Sequence, residues 1–226
     1  MMSSSGHLSL RRPLIVLYTS AKGDMQLSER VDVCNRALTM LGEKAITSID
    51  EDSNNAQQLQ LNYTMARDGT LEAHEWSFAI ERFVPAYLST PPEFGYAYAF
   101  PIPPEIIRVL TVYASDSLNS PLSTQRESST PQIDWAIESG NILCDEQVIY
   151  CRGLRRIEEE GRYSPLFVEA FAAKLASLVA INLTGSAEIQ KNMLGFYMGF
   201  IQQAKSRDGQ QGRSKIMRNH QLQSVR

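Results

Sequence analysis

The stretch Ala66–Ala79, ARDGTLEAHEWSFA, is where a helical pattern gives way to an aromatic-rich extended one, and its reading divides the chain. Upstream of it, Ala56, Leu59, Tyr63, Ala66, Thr70 and Ala73 recur at spacings of three and four. That period predicts an amphipathic helix, capped by Asp52 or Ser53. Gly69 inside it costs about 1 kcal/mol relative to Ala, so a neighbouring backbone is expected to approach there. Downstream, Pro85, Pro91, Pro92, Pro101, Pro103, Pro104, Pro121 and Pro131 exclude long helices and punctuate short extended runs. Strands are expected at Phe78–Val84, Ala97–Phe100, Ile107–Tyr113, Trp135–Ser139, Asn141–Cys144 and Gln147–Arg152. Gly140-Asn141 marks a tight hairpin, and the Ser/Thr-rich run Ser115–Gln132 reads as a loop at the sheet edge.

Helices return on either side. Ser28 can cap a first helix with the stripe Val31, Cys34, Leu38 and Leu41, closed by Gly42 in the left-handed conformation. Ser164 can cap a third, with Pro165 at its first position, where a missing N–H breaks no bond. Leu166, Phe167, Ala170, Phe171, Leu175, Leu178, Val179 and Ile181 make this third helix the most buried of the chain. Gly185 ends it, and Ser186 caps a fourth with Ile189, Met193, Phe196, Tyr197, Phe200 and Ala204 along one side. The pattern predicts an α+β protein, an antiparallel four-helix domain with an antiparallel β-sandwich or barrel-like domain inserted between helices 2 and 3. The expected divisions are an N-terminal extension at 1–24, the helical domain at 25–77 and 164–208, the β insert at 78–163 and a basic tail at 209–226.

At 226 residues, 43% hydrophobic and 21% charged, the chain has the composition of a globular protein and not of a disordered one. The run after Arg11-Arg12, Pro13–Tyr18, is short for the core of a signal peptide, and no uninterrupted apolar run approaches the roughly 18 residues of a membrane span. Cys34, Cys144 and Cys151 form no close pair, which points to buried thiols and not to a disulfide framework. Net charge is −3, unevenly spread. Lys205, Arg207, Arg213, Lys215, Arg218 and Arg226 face one acid, Asp208, in the last 22 residues, a net of +5, so the rest carries −8.

Catalytic chemistry finds little support. His7, His74 and His220 share no metal-ligand spacing, no glycine-rich phosphate loop occurs, and His74-Glu75 does not open a zinc-protease motif. A Cys34/His74/Asp68 nucleophilic set can be drawn from residue types alone. The runs Asp50–Asp52 and Glu158–Glu160 offer paired carboxylates, although acids beside helix starts and turns are ordinarily solvated or held by the helix dipole. Gly195 and Gly199 form a GxxxG spacing on the fourth helix, read equally as close intramolecular packing or as a subunit contact. Neither a cofactor nor a metal is expected.

Three linked groups of residues carry a resemblance. They are Arg67-Asp68, Leu71, Trp76, Phe78-Ala79 and Arg82; then Tyr96, Tyr98, Pro101 and Arg108; then Leu166-Phe167, Glu169-Ala170 and Thr184-Gly185-Ser186. Together they make roughly Leu27–Gly209 resemble the tail tubular protein A family of short-tailed bacteriophages. Gly69, the doubled Pro103-Pro104 and the front extension depart from the family pattern. The resemblance implies a structural virion protein, not an enzyme: a head-to-tail adaptor in the phage neck, synthesised in the bacterial cytoplasm. It would form a cyclic ring of about a dozen copies between the portal protein and the tail nozzle, with genomic DNA passing through the lumen and no membrane involved. Lys205, Arg207, Arg213, Lys215 and Arg218 are then the expected portal-docking residues. Arg67, Asp68, Trp76 and Phe78 are the expected structural junction. The rival expectations are a small hydrolase using Cys34 or a carboxylate pair, and a DNA-binding module using the tail.

Overall fold

The computed structural model describes residues 30–114 and 133–211. Residues 1–29, 115–132 and 212–226 lie outside it, and with them the Ser28 cap, the front extension, the Ser/Thr-rich run and most of the basic tail. Four helices and two antiparallel three-stranded sheets are described: an α+β protein.

The first helix, α1, covers residues 30–41 and buries Val33, Cys34, Ala37, Leu38 and Leu41. Gly42 ends it at φ +75°, with Gly42 N–H donating to Thr39 O and Glu43 N–H to Leu38 O, the paired bonds of a Schellman motif. α2 spans Asn54–Glu72, and its cap is Ser53, whose side chain accepts from Ala56 N. This helix buries Ala56, Leu59, Tyr63, Ala66, Arg67, Thr70 and Leu71. A Cβ built on Gly69 meets nothing within 4 Å, so the expected close backbone is absent and Gly69 faces open space.

After α2 the chain passes a 3-10 turn, Ser77–Ala79, where a longer strand was expected, and enters β1 (Ile80–Phe83). The strands β2 (Tyr98–Pro101), β3 (Ile106–Ala114), β4 (Ala136–Glu138), β5 (Asn141–Cys144) and β6 (Ile149–Arg155) follow. One sheet has the order β1-β6-β3 and the other β2-β5-β4. Glu138 pairs with Asn141, so the tight turn is Ser139-Gly140, one residue earlier than the sequence pattern placed it, with both residues at positive φ. Phe100, Ile106, Val112, Ile142, Cys144, Ile149 and Cys151, drawn from both sheets, form a second core. Gly153 lies in the central strand β6; a Cβ there would come 2.9 Å from Ile106 Cγ2 and 3.1 Å from Phe83 Cε1. Only glycine lets the two flanking strands close at that level.

α3 (Pro165–Thr184) starts from Ser164, whose hydroxyl accepts from Phe167 N, and stops at Gly185 (φ +67°). Its length and apolarity would suffice to cross a membrane, but more than half of the apolar window is buried against the rest of the protein. Ile181, expected inside, is exposed. α4 (Ala187–Gln211) starts from Ser186, whose Oγ accepts from Ile189 N. It buries Met193, Tyr197, Ile201 and Ala204, and turns Phe196 outward, 53% exposed, against expectation. The helix continues past Lys205 to Gln211, so the basic segment begins inside an ordered helix. α3 packs against both α2 and α4, which hardly meet each other. Cβ positions at Gly195 and Gly199 face open space, so these glycines do not serve close packing among the described residues.

Candidate functional site

The chain enters the insert through residues 76–80 and leaves it through residues 155–164, and the two crossings lie side by side. Ile80 pairs with Leu154 across β1 and β6, and Arg162 donates to the carbonyl of Phe78 at 3.1 Å. Between and behind them sits an aromatic cluster. Trp76 is fully buried, its ring stacked on Phe78 at 5.9 Å between centroids and edge-on to Phe167 at 5.0 Å. Tyr163 and Phe167 are 4.7 Å apart, and Tyr63 meets Phe171 edge-on at 5.0 Å. Contacts of this kind contribute about 0.5–1.5 kcal/mol each beyond the area they bury. The indole N–H cannot go unpartnered in such a place, and it donates to Thr70 O at 3.1 Å. The ring thereby ties the last turn of α2 to α3.

Ionic groups surround this cluster. Asp68 accepts from Arg67 Nε through Oδ1 and from Arg156 Nε through Oδ2, both at 2.9 Å, so α2 and the exit segment share one carboxylate. Arg67 also lies 3.6 Å from Glu158. Burial works against the Arg67 charge, but the Asp68 bond and the neighbouring negative charges outweigh it and hold the guanidinium pKa above its usual value. Arg67, Asp68, Trp76 and Phe78 are therefore found in one place, where helix, insert entrance and insert exit meet.

Glu160 was expected in a solvated acidic run; the structure buries it instead, its Oε1 accepting from Tyr63 OH at 2.7 Å. Arg30 lies over the Tyr63 ring, 4.2 Å from its centroid. Burial, and then the Glu160 charge, raise the Tyr63 pKa, so the phenol stays a proton donor. In the other acidic run, Glu51 organises the loop before α2, accepting from Thr47 N and Ser53 Oγ at 2.8 Å and from Thr47 Oγ1 at 2.9 Å. The Thr47 backbone bond, followed by these hydroxyl bonds, lowers its pKa to about 2. Both acids are thus held by hydrogen bonds to neighbouring side chains or backbone, where the sequence pattern suggested solvated runs.

The nucleophilic set is not assembled. Cys34 is fully buried and, mainly through that burial, its thiol is pushed up to about 12. Asp68 is committed to the two arginines, and His74 lies with Nε2 3.4 Å from Asp208 Oδ2. All three cysteines are free and buried. Among the described residues no group of His, Cys, Asp or Glu could hold a metal ion.

Asp208, which entered the sequence reading only as the lone acid of a basic segment, has the most specific role in α4. Its carboxylate accepts from Ser77 N at 3.1 Å and from Ser77 Oγ at 2.6 Å. The signal was present in the sequence: Met193, Tyr197, Ile201, Ala204 and Asp208 continue one stripe at spacings of three and four. Beside this contact, between the start of α3 and the end of α4, opens a cleft of about 860 Å³ whose lining includes Arg162, Gln203, Ser206, Arg207 and Asp208. Of the five expected docking residues, Arg207 borders this cleft and Lys205 is half-buried on the same helix. Arg213, Lys215 and Arg218 lie outside the described residues.

Charge on the insert is segregated. The segments 84–101 and 133–148 contain Glu93, Asp134, Glu138, Asp145 and Glu146, and no Lys, Arg or His. Asp145 accepts from Ala97 N at 2.9 Å, joining the two segments. Phe94, at 87% exposure, projects from the same region.

No protein-family model matches the chain, and no curated protein matches it either.

Proposed function

We propose that the chain is a structural subunit, the head-to-tail adaptor that the sequence resemblance implies, with a four-helix domain as its body and the two sheets as a sandwich-like insert. The observation that supports this most is the distribution of exposed large apolar side chains on separate elements. Leu61 and Met65 emerge from α2, while Leu194, Phe196 and Met198 emerge from α4 on either side of Gly195 and Gly199. α3 separates these two helices, so a subunit has two different sticky flanks. Two unlike flanks suit a head-to-tail contact that closes into a ring, whereas a two-fold dimer requires one self-complementary patch.

The acids of the insert fit a subunit that borders a DNA channel. Carboxylates repel phosphates and leave a passing duplex without sticky walls. The burial of Cys34 and the hydrogen bonds that hold Asp68, Glu51 and Glu160 favour a structural role over the hydrolase alternative. Electron microscopy of the purified chain with and without portal rings tests the proposal. Capping of portal rings by a second ring of density is expected. A chain that neither closes into rings nor decorates portal rings, at any concentration tried, overturns it.

A further inference from the structure

We infer that the cleft between the start of α3 and the end of α4 is a binding site for an extended acidic peptide segment of a partner protein. Its volume, about 860 Å³, falls within the size range of ligand clefts. Its chemistry is one-sided. Arg162 and Arg207 border it, and Gln203 and Ser206 add donors along the α4 wall. Its one carboxylate, Asp208, is already used: both oxygens accept from Ser77, and His74 stands 3.4 Å away. What remains for a visitor is a surplus of cationic and neutral donors.

That donor set selects among ligands. Guanidinium groups bind carboxylates through paired N–H bonds, and a glutamine amide offers the donor and acceptor that a peptide group needs. Phe78 and Leu166, also in the lining, provide a place for an apolar side chain. Arg162 uses one N–H on the carbonyl of Phe78, which fixes that guanidinium at the cleft and leaves its other donors available. The start of α3 adds the positive end of a helix dipole. A single-stranded nucleic acid would want a run of cations and exposed flat rings for stacking; the cleft has two arginines with amides between, and its rings, Phe78 and Tyr163, are half-buried and buried in the aromatic cluster. The site belongs to the monomer and does not depend on ring assembly, so failure of the adaptor proposal leaves it standing.

The test is amide chemical-shift mapping on the full isotope-labelled chain. The probes are a short capped peptide of Glu, Leu and Gly, its counterpart with Lys in place of Glu, and a thymine oligonucleotide of equal charge. The acidic peptide is expected to shift the amides of Ser77, Leu166, Gln203, Ser206 and Arg207, and the Lys peptide to shift none. Arg207→Glu, at an exposed position, is expected to weaken the acidic peptide roughly tenfold or more, the loss of one charge-assisted contact. Gln203→Glu, which leaves both arginines in place, should weaken it in the same direction. The proposal is overturned by no shifts at the cleft, by shifts elsewhere, by unchanged binding in both variants, or by tighter binding of the oligonucleotide at the same residues.

Discussion

Asp208 and Ser77, 131 positions apart, are joined by a two-point contact in which one carboxylate accepts both the backbone N–H and the hydroxyl of the serine. Ser77 is the first residue of the 3-10 turn that leads into the insert, so its N–H has no intrahelical acceptor. A side chain from the last turns of α4 satisfies it. The end of the longest described helix thus caps the entrance to the β insert.

Removing that carboxylate is expected to destabilise the protein by about 1.5–3 kcal/mol, the range for a hydrogen bond to a charged group. Asp208→Ala should show this in urea unfolding, with the loss concentrated at the end of α4 in hydrogen exchange. Truncation after Gln211 should leave the midpoint nearly unchanged, while truncation after Ala204 should reproduce the Asp208→Ala loss. Equal stability of both truncated forms would mean that the contact contributes nothing.

Trp76→Ala removes a fully buried ring that touches His74, Phe78 and Phe167, and is expected to cost about 3–5 kcal/mol. Trp76→Phe keeps most of the packing but strands the Thr70 carbonyl, so a smaller loss is expected. Thermal unfolding of the pair separates the two contributions; an unchanged midpoint for the alanine variant would contradict the burial.

Glu51 gives the protein a pH signature. Its pKa falls from an ordinary 4.5 to about 2 on folding, chiefly through the Thr47 backbone bond. A depressed acid pKa contributes stability above the unfolded value and loses it as pH falls through the folded one. Glu51→Gln should therefore lie below the wild type in stability at neutral pH, and the gap should close between about pH 4.5 and about 2. A gap independent of pH over that window would show that the carboxylate charge is not what holds the loop.

Cys34 and Cys151 should resist alkylation in the native state. Burial pushes both thiols up to about 12, leaving almost no thiolate at pH 8 and no access for the reagent. Mass spectrometry after iodoacetamide treatment should find both unlabelled until denaturant is added. Rapid native labelling of Cys34 would revive a nucleophilic role for it.

Most elements could be read from periodicity and caps, because Ser53, Ser164, Ser186, Gly42 and Gly185 announce themselves locally. What escaped the sequence depends on partners distant along the chain. Glu160 looked solvated because its run is acidic; the phenol that receives it is 97 positions away. Phe196 looked like core because it lies beside the stripe, and only the position of α3 decides which edge of α4 stays wet. Gly69, and Gly195 and Gly199 in their intramolecular reading, were taken for sites of close packing, and the neighbours that such packing requires are absent among the described residues. The cleft was invisible for the same reason, since Arg162 and Arg207 come to border one cleft only when the segment before α3 and the end of α4 fold together.

The adjacent entry and exit of the insert have a mechanical consequence. Because β1 and β6 run antiparallel from the helical body with Ile80 beside Leu154 and Phe83 beside Cys151, a pull on the far end of the insert along the strands is carried down two bonded backbones at once, like a load on a doubled cord. β3, bonded along the other edge of β6, stiffens the stem, and the Arg162 bond to Phe78 and the Asp208 bonds to Ser77 lie at its root. Force entering at the tip therefore arrives at one small place, where Ser77, Phe78 and Arg162 meet the helices, and that junction carries the whole load between insert and body.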